Sequence, residues 1–273
     1  MRTEAKARKA FRIRLGILIG LLAMTVAWAG HDIYSRRART DWQRPVTVAV
    51  ALVQLGPVDQ SALNALHARF GALEARFAAE YRRYGGRLER PVTFTLYGPV
   101  NVDRPPPADP DSNIPSLAKH AWQLWRWTHA IDEGCALPTH SFDSRIYLVM
   151  RAPRDRALQW VEGSSELGGR IGVAKVELDI ASVDLALFVA SHELLHTLGA
   201  SDKYDATGRA LIPSGLVEPD RAPLYPQRYA EVMARNIVLG PGSERPPESI
   251  AELGVGIATA REIGWAPGPA PPR

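Results

Sequence analysis

The rhythm of apolar positions changes along this chain, and each rhythm predicts a different element. LGILIGLLAMTVAWAG, residues 15–30, is apolar with no charged side chain, and it follows Arg2, Lys6, Arg8, Lys9, Arg12 and Arg14. A basic stretch ahead of an uncharged run predicts a transmembrane signal-anchor over 15–30, with 1–14 as a basic cytoplasmic tail. Such a helix would be roughly 24 Å long against a hydrocarbon core of about 30 Å, so snorkelling by Arg12 and Arg14 has to cover the difference. The rival expectation is a signal peptide, cleaved near Ala27-Trp28-Ala29. One reading places a single-pass protein in the cell membrane with its domain on the extracytoplasmic, periplasmic side. The other releases a secreted protein. Residues 31–45 are polar and arginine-rich and read as a tether.

Beyond the tether, VTVAVALV (46–53) is continuously apolar, as a strand buried on both faces should be. Leu63, Leu66, Phe70, Leu73, Phe77 and Tyr81 recur every three or four residues, which predicts one face of a helix that Gly85 and Gly86 end. VTFTLY (92–97) alternates like a half-buried strand, and the proline-rich stretch 99–115 reads as a surface loop. A helix is expected over 116–132, where Trp122, Trp125 and Trp127 are read as core residues because their rings bury so much area. RIYLVM (145–150) predicts another buried strand. IGVAKVEL (171–178), with Lys175 and Glu177 on one face, predicts an edge strand. A helix over 181–198, a long irregular stretch, a helical run over 249–263 and a disordered proline-rich tail (266–273) complete the pattern. This order of strands and helices indicates an α/β (α+β) domain with one mixed, mostly parallel sheet.

Composition narrows the function. Apolar residues make up 46% and charged ones 23%, ordinary values for a folded domain. The formal net charge is +4, but the surplus lies before Val46, and the remainder of the chain is net negative. The folded part therefore has no electrostatic footprint for nucleic acid. A single cysteine, Cys135, excludes an internal disulfide and a zinc site made of several thiolates.

The chemistry is concentrated in SHELLHTLGASDKYD (191–205). His192 and His196 are four residues apart, so on a helix both imidazoles leave one face and meet one ion, Zn2+ by donor type. Glu193 stands beside them, where it can take a proton from a water at that ion. A catalytic zinc needs three protein ligands and an open position. Gly199 is suited to end the helix and turn the chain back, which brings Asp202 within reach; Asp205 is the alternative three residues on. The amphipathic alternative, with two solvated histidines, accounts for Leu194, Leu195 and Leu198 but not for the polar trio.

The extended pattern, His-Glu-x-x-His-x-x-Gly-x-x-Asp, resembles that of the metzincin zinc peptidases. Their usual third ligand is histidine, and aspartate there resembles the snapalysin-type variant. The resemblance implies a zincin catalytic domain over 46–265 with His192, His196 and Asp202 as metal ligands, since the family spacing selects Asp202. It also implies Glu193 as general base, a methionine turn at Met233 beneath the metal, and an edge strand above the active-site helix. The implied activity is zinc-dependent endopeptidase cleavage of a peptide or protein substrate, which the edge strand binds by strand addition. Tyr204, Tyr225 and Tyr229 are candidates to assist the oxyanion. A non-catalytic envelope scaffold keeping a structural zinc is the competing class. His67, His120 and His129 lack ligand spacing. Ser164 and Ser165 lack a nucleophile elbow, and GSSELGGR lacks the lysine of a phosphate loop. Cys135 reads as an inert thiol rather than a latency ligand.

Overall fold

β1 (Val46–Gln54) sets the frame, because its side chains are buried on both sides of the sheet. Val48, Val50 and Leu52 enter one apolar cluster while Ala49, Ala51 and Val53 enter another. A strand so placed must be central, and β1 pairs in parallel with both β2 (Val92–Asn101) and β3 (Ser144–Arg151). The sheet continues through β5 (Ile171–Glu177), parallel to β3, and ends at β4 (Val161–Ser165), antiparallel to β5. The strand order is therefore β2-β1-β3-β5-β4. In this computed structural model residues 2–153, 161–165 and 168–268 are described, and the chain divides into two units, 1–39 and 40–273. Most of the proline-rich tail expected over 266–273 lies outside the described residues.

Helices cover both faces of the sheet. α2 (Gln60–Arg83) and α4 (Val183–Thr197) supply Leu66, Leu73, Phe77, Leu187 and Leu194 to the larger cluster. α2 starts where the Asp59 side chain accepts a hydrogen bond from Ser61 N, and it ends at Gly85, whose φ is 80°. α3 (Ile114–Gly134) lies over the other face, contributing Leu124, Trp127 and Ile131.

Four expectations are corrected. α1 (Arg2–Thr40) runs through 15–30 and on into the segment read as a tether. Among the described residues no helix is long and apolar enough to cross a membrane, which overturns the transmembrane helix expected over 15–30. The uncharged run stops at Arg14 and His31 and is diluted by Gly16, Gly20, Thr25 and Gly30, short of the ~20 predominantly apolar residues a span requires.

β5, expected as an edge, is interior. Its Glu177 is buried and bonds Arg151 of β3 at 2.9 Å, so the charge is satisfied across the sheet and does not mark an exposed edge. The edge is β4, too short and too glycine- and serine-rich to announce itself. Trp122 and Trp125, expected in the core, are 58% and 52% exposed, because Leu124, Trp127, Thr128 and Ile131 form the sheet-facing side of α3. The helix expected over 249–263 is divided into a 3-10 turn (Ile250–Glu252), a short β9 (Leu253–Gly254) and α5 (Ile257–Glu262). The three remaining short strands are β6 (Ala230–Glu231), β7 (Ile237–Gly240) and β8 (Ser243–Arg245).

Candidate metal centre

α4 is apolar nearly all round, so its few polar side chains stand out as the exceptions inside a core. His192 and Glu193 are buried, and Glu193 is only 2% exposed. The helix ends as its sequence predicts: Gly199 has φ 99°, its N–H returns to His196 O, and Ala200 N returns to Leu195 O. That reversal delivers Asp202 to the imidazoles.

The three side chains meet at one point. His192 Nε2 and His196 Nε2 are 3.1 Å apart, and Asp202 Oδ1 is 3.2 Å from the first and 3.3 Å from the second. Each ring's other nitrogen is committed: His192 Nδ1 lies 2.9 Å from Val232 O, and His196 Nδ1 lies 2.8 Å from Ala200 O. A carbonyl oxygen only accepts, so Nδ1 carries the proton in both neutral rings and Nε2 presents a lone pair. With both rings neutral, two lone pairs and a carboxylate oxygen converge with no proton among them, the form that receives a cation. Donors about 2.0–2.1 Å from a tetrahedral zinc stand roughly 3.3 Å from one another, so the triad fits that ion without adjustment.

The electrostatics agree with a site that wants a cation. Burial alone would raise the Asp202 carboxyl, yet hydrogen bonding and positive charge at the two imidazole positions hold it far below the usual carboxylate range. Burial alone would lower the His196 imidazole, but Asp202 and Glu193 raise it above its ordinary value. Burial pushes the Glu193 carboxyl up, against the opposing pull of His192 and of a hydrogen bond from Ser165. Asp205 is outside the cluster; its carboxylate accepts from Thr207 N, Thr207 Oγ1 and Arg209 N in its own turn.

Several residues that sequence patterns did not single out hold this geometry. Ser165 Oγ on β4 donates to Glu193 Oε2 at 2.5 Å. A Cβ on Gly163 would lie 1.7 Å from Glu193 Oε1, so only glycine leaves room for the carboxylate there. Gly163 and Ser165, from the stretch that fails as a phosphate loop, thus form a wall beside Glu193. Met233 is fully buried, in the turn that follows β6. That turn reaches the site through its backbone: Val232 O accepts from His192 Nδ1, and Met233 O accepts from Lys203 N, next to Asp202.

The Glu231 side chain holds the turn by accepting from Met233 N at 2.6 Å, Ala234 N at 2.9 Å and Gly256 N at 3.1 Å. Glu262 of α5 accepts from Ser201 N at 2.9 Å and pairs with buried Lys203 at 2.7 Å, bracing both neighbours of Asp202. Spacing along the chain carries no signal for these partners, since each comes from a distant segment.

The triad opens on a cavity of about 970 Å³, lined also by Glu193, Gly163, Ser165, Tyr204, Arg235 and Phe188. Tyr204 alone of the three candidate tyrosines borders it, its ring stacked 6.3 Å from that of His192. Burial and the neighbouring Asp202 push its phenol up, so it stays a proton donor at neutral pH. Cys135 follows α3 and packs in the cluster on the opposite face of the sheet, away from the triad.

No protein-family model matches this chain, and no curated protein does. Among solved structures, archaemetzincin from Methanopyrus kandleri is similar at 14% identity over 62% of this chain and 80% of that one. The TM-score of that pairing is 0.29, a superposition too loose to add to what the side chains themselves establish.

Proposed function

We propose that this protein is a zinc-dependent endopeptidase. The observation that carries the reading is the convergence of two imidazole lone pairs and one carboxylate oxygen, 3.1–3.3 Å apart, on the wall of an open cavity. His192, His196 and Asp202 are the residues that would hold the ion. Zinc, when bound, supplies a Lewis acid able to activate water and polarise a carbonyl.

The chain's own groups do the rest. Glu193 accepts the proton of the attacking water and passes it to the leaving amine, a role suited to a carboxyl whose pKa burial has raised. Ser165 fixes one oxygen of that carboxylate, and the glycine at 163 leaves space for the other. Tyr204, on the cavity wall, is the tyrosine that would donate toward the developing oxyanion. Among the described residues β4 pairs on one side only, so its outer edge is suited to receive an extended peptide by strand addition.

The competing reading, a scaffold with a structural zinc, is disfavoured by the same surroundings. Structural zinc sites are closed by four protein ligands, whereas among the described residues this one offers three beside a buried carboxylate and a cavity. Metal analysis of the purified full chain, with cleavage of a mixed peptide library, tests the proposal. Wild type is expected to hold one zinc and to cleave. Glu193→Gln should keep the zinc and lose about 10²–10⁴-fold in kcat. Equal cleavage by that variant, or a folded wild type that takes up no metal, would overturn the reading.

A further inference from the structure

Just past the buried methionine stands a residue that the mechanism above does not use. Arg235 has φ 76°, a left-handed conformation that non-glycine residues rarely adopt and that tends to persist where surrounding structure imposes it. Here the imposing contacts are visible. Arg235 N donates to Glu231 O at 2.9 Å, and the Glu231 side chain fixes the two preceding N–H groups.

The strained turn leaves the side chain exposed in the cavity. The guanidinium carbon lies 5.0 Å above the Tyr204 ring, which itself stacks on His192. One aromatic ring therefore separates a permanent cation from a metal-binding imidazole.

That cation has no ion-pair partner among the described residues. Arg228 and Arg245, on adjoining segments, pair with Glu218 and Glu252. The carboxylates of the cavity lining are otherwise committed: Asp202 to the triad, Glu193 to Ser165, and Asp109 to an interaction of its own. A guanidinium presents a planar fork that matches a carboxylate through two parallel hydrogen bonds, and stacking on an aromatic ring holds the fork still. Arg235, Tyr204 and His192 follow one another at 5.0 and 6.3 Å, and an extended peptide advances about 3.3 Å per residue, so a group meeting Arg235 belongs to a residue within about three of the scissile bond.

Resting on the peptidase reading, we propose that Arg235 selects substrates carrying a carboxylate within about three residues of the cleaved bond. The carboxylate is either an Asp or Glu side chain or the free C-terminus of a short peptide.

The test uses the zinc-loaded full chain. A mixed peptide library, read by mass spectrometry, first gives the cleaved sequences. Matched pairs are then built on the best of them: Asp or Glu against Asn or Gln at each flanking position, and free against amidated C-termini. For wild type, removing the recognised carboxylate should lower kcat/KM about ten-fold, the scale of one charge-assisted pair. The arm that shows the loss identifies its source. Arg235→Ala should bring the ratio within each pair close to one, Arg235→Lys should keep part of it, and Arg235→Glu should shift preference toward lysine-bearing peptides. Equal cleavage of both members of every pair by wild type overturns the role of Arg235 and leaves the peptidase reading standing. A zinc-loaded chain that cleaves nothing removes both.

Discussion

One atom's worth of space bears on the role proposed for Glu193. Gly163 has no Cβ, and the Glu193 carboxylate occupies the volume a Cβ would take, 1.7 Å from where that atom would stand. Gly163→Ala must therefore push the carboxylate or the strand aside while leaving His192, His196 and Asp202 untouched. The variant is expected to retain zinc and to lose at least about ten-fold in kcat, since small misplacements of a proton-transfer group are costly. Unchanged turnover at full metal occupancy would show that the contact is not constraining. Sequence made the triad legible at this scale because four-residue helical spacing and a glycine stop are local rules. It left Gly163 and Ser165 unread, since their meaning lies in a contact with a helix about thirty residues away.

The element that matters most after α4 is the turn beyond β6. The Glu231 side chain is buried, has no ion-pair partner among the described residues and is held by Met233 N, Ala234 N and Gly256 N. Burial pushes its carboxyl up, while those N–H groups and Thr259 favour the charged form. The turn in turn supplies the carbonyl that fixes the His192 tautomer. Glu231→Ala leaves several buried N–H groups unpaired, at about 1–3 kcal/mol each, so a large fall in thermal midpoint is expected. Zinc affinity should fall roughly 10–100-fold as well, the range found when partners of a ligating histidine are lost. Calorimetry and competition with a metal chelator read the two effects separately. Wild-type affinity in a folded variant would mean that His192 needs no help from the turn. The methionine was visible in the sequence, but the glutamate holding it was not, because acidic residues are ordinarily solvated.

Across the whole molecule, the segment leading into the central strand β1 is tied to the start of β3 by a charged clasp. Arg44 grips the buried Asp143 carboxylate through both guanidinium nitrogens at 2.7 Å, and Thr47 N adds a third bond at 2.9 Å. Burial alone would raise the Asp143 carboxyl, but these partners hold it below its ordinary value of 3.8. A carboxyl depressed by folding contributes stability that is present above its unfolded pKa and lost as pH falls through the folded one. Asp143→Asn should therefore destabilise the protein more at about pH 7 than at about pH 3, as denaturant titrations at the two pH values would show. Equal losses at both would mean that the carboxylate's charge is not what the clasp uses.

At this scale sequence and tertiary structure divide the work unevenly. The alternating and continuous apolar runs determined the central strands β1 and β3 and the helices α2 and α4, because burial on one or two faces writes a period into the chain. The spacing of His192, His196, Gly199 and Asp202 determined which side chains meet, since helix geometry and a glycine stop act over a few residues. Tertiary structure alone decided that β4 and not β5 forms the edge, that Trp122 and Trp125 face outward, and that Glu231, Glu262 and Arg235 stand around the site. Those outcomes depend on which distant segments pack together, and no local period or spacing encodes a partner as far along the chain as Glu262 is from Ser201.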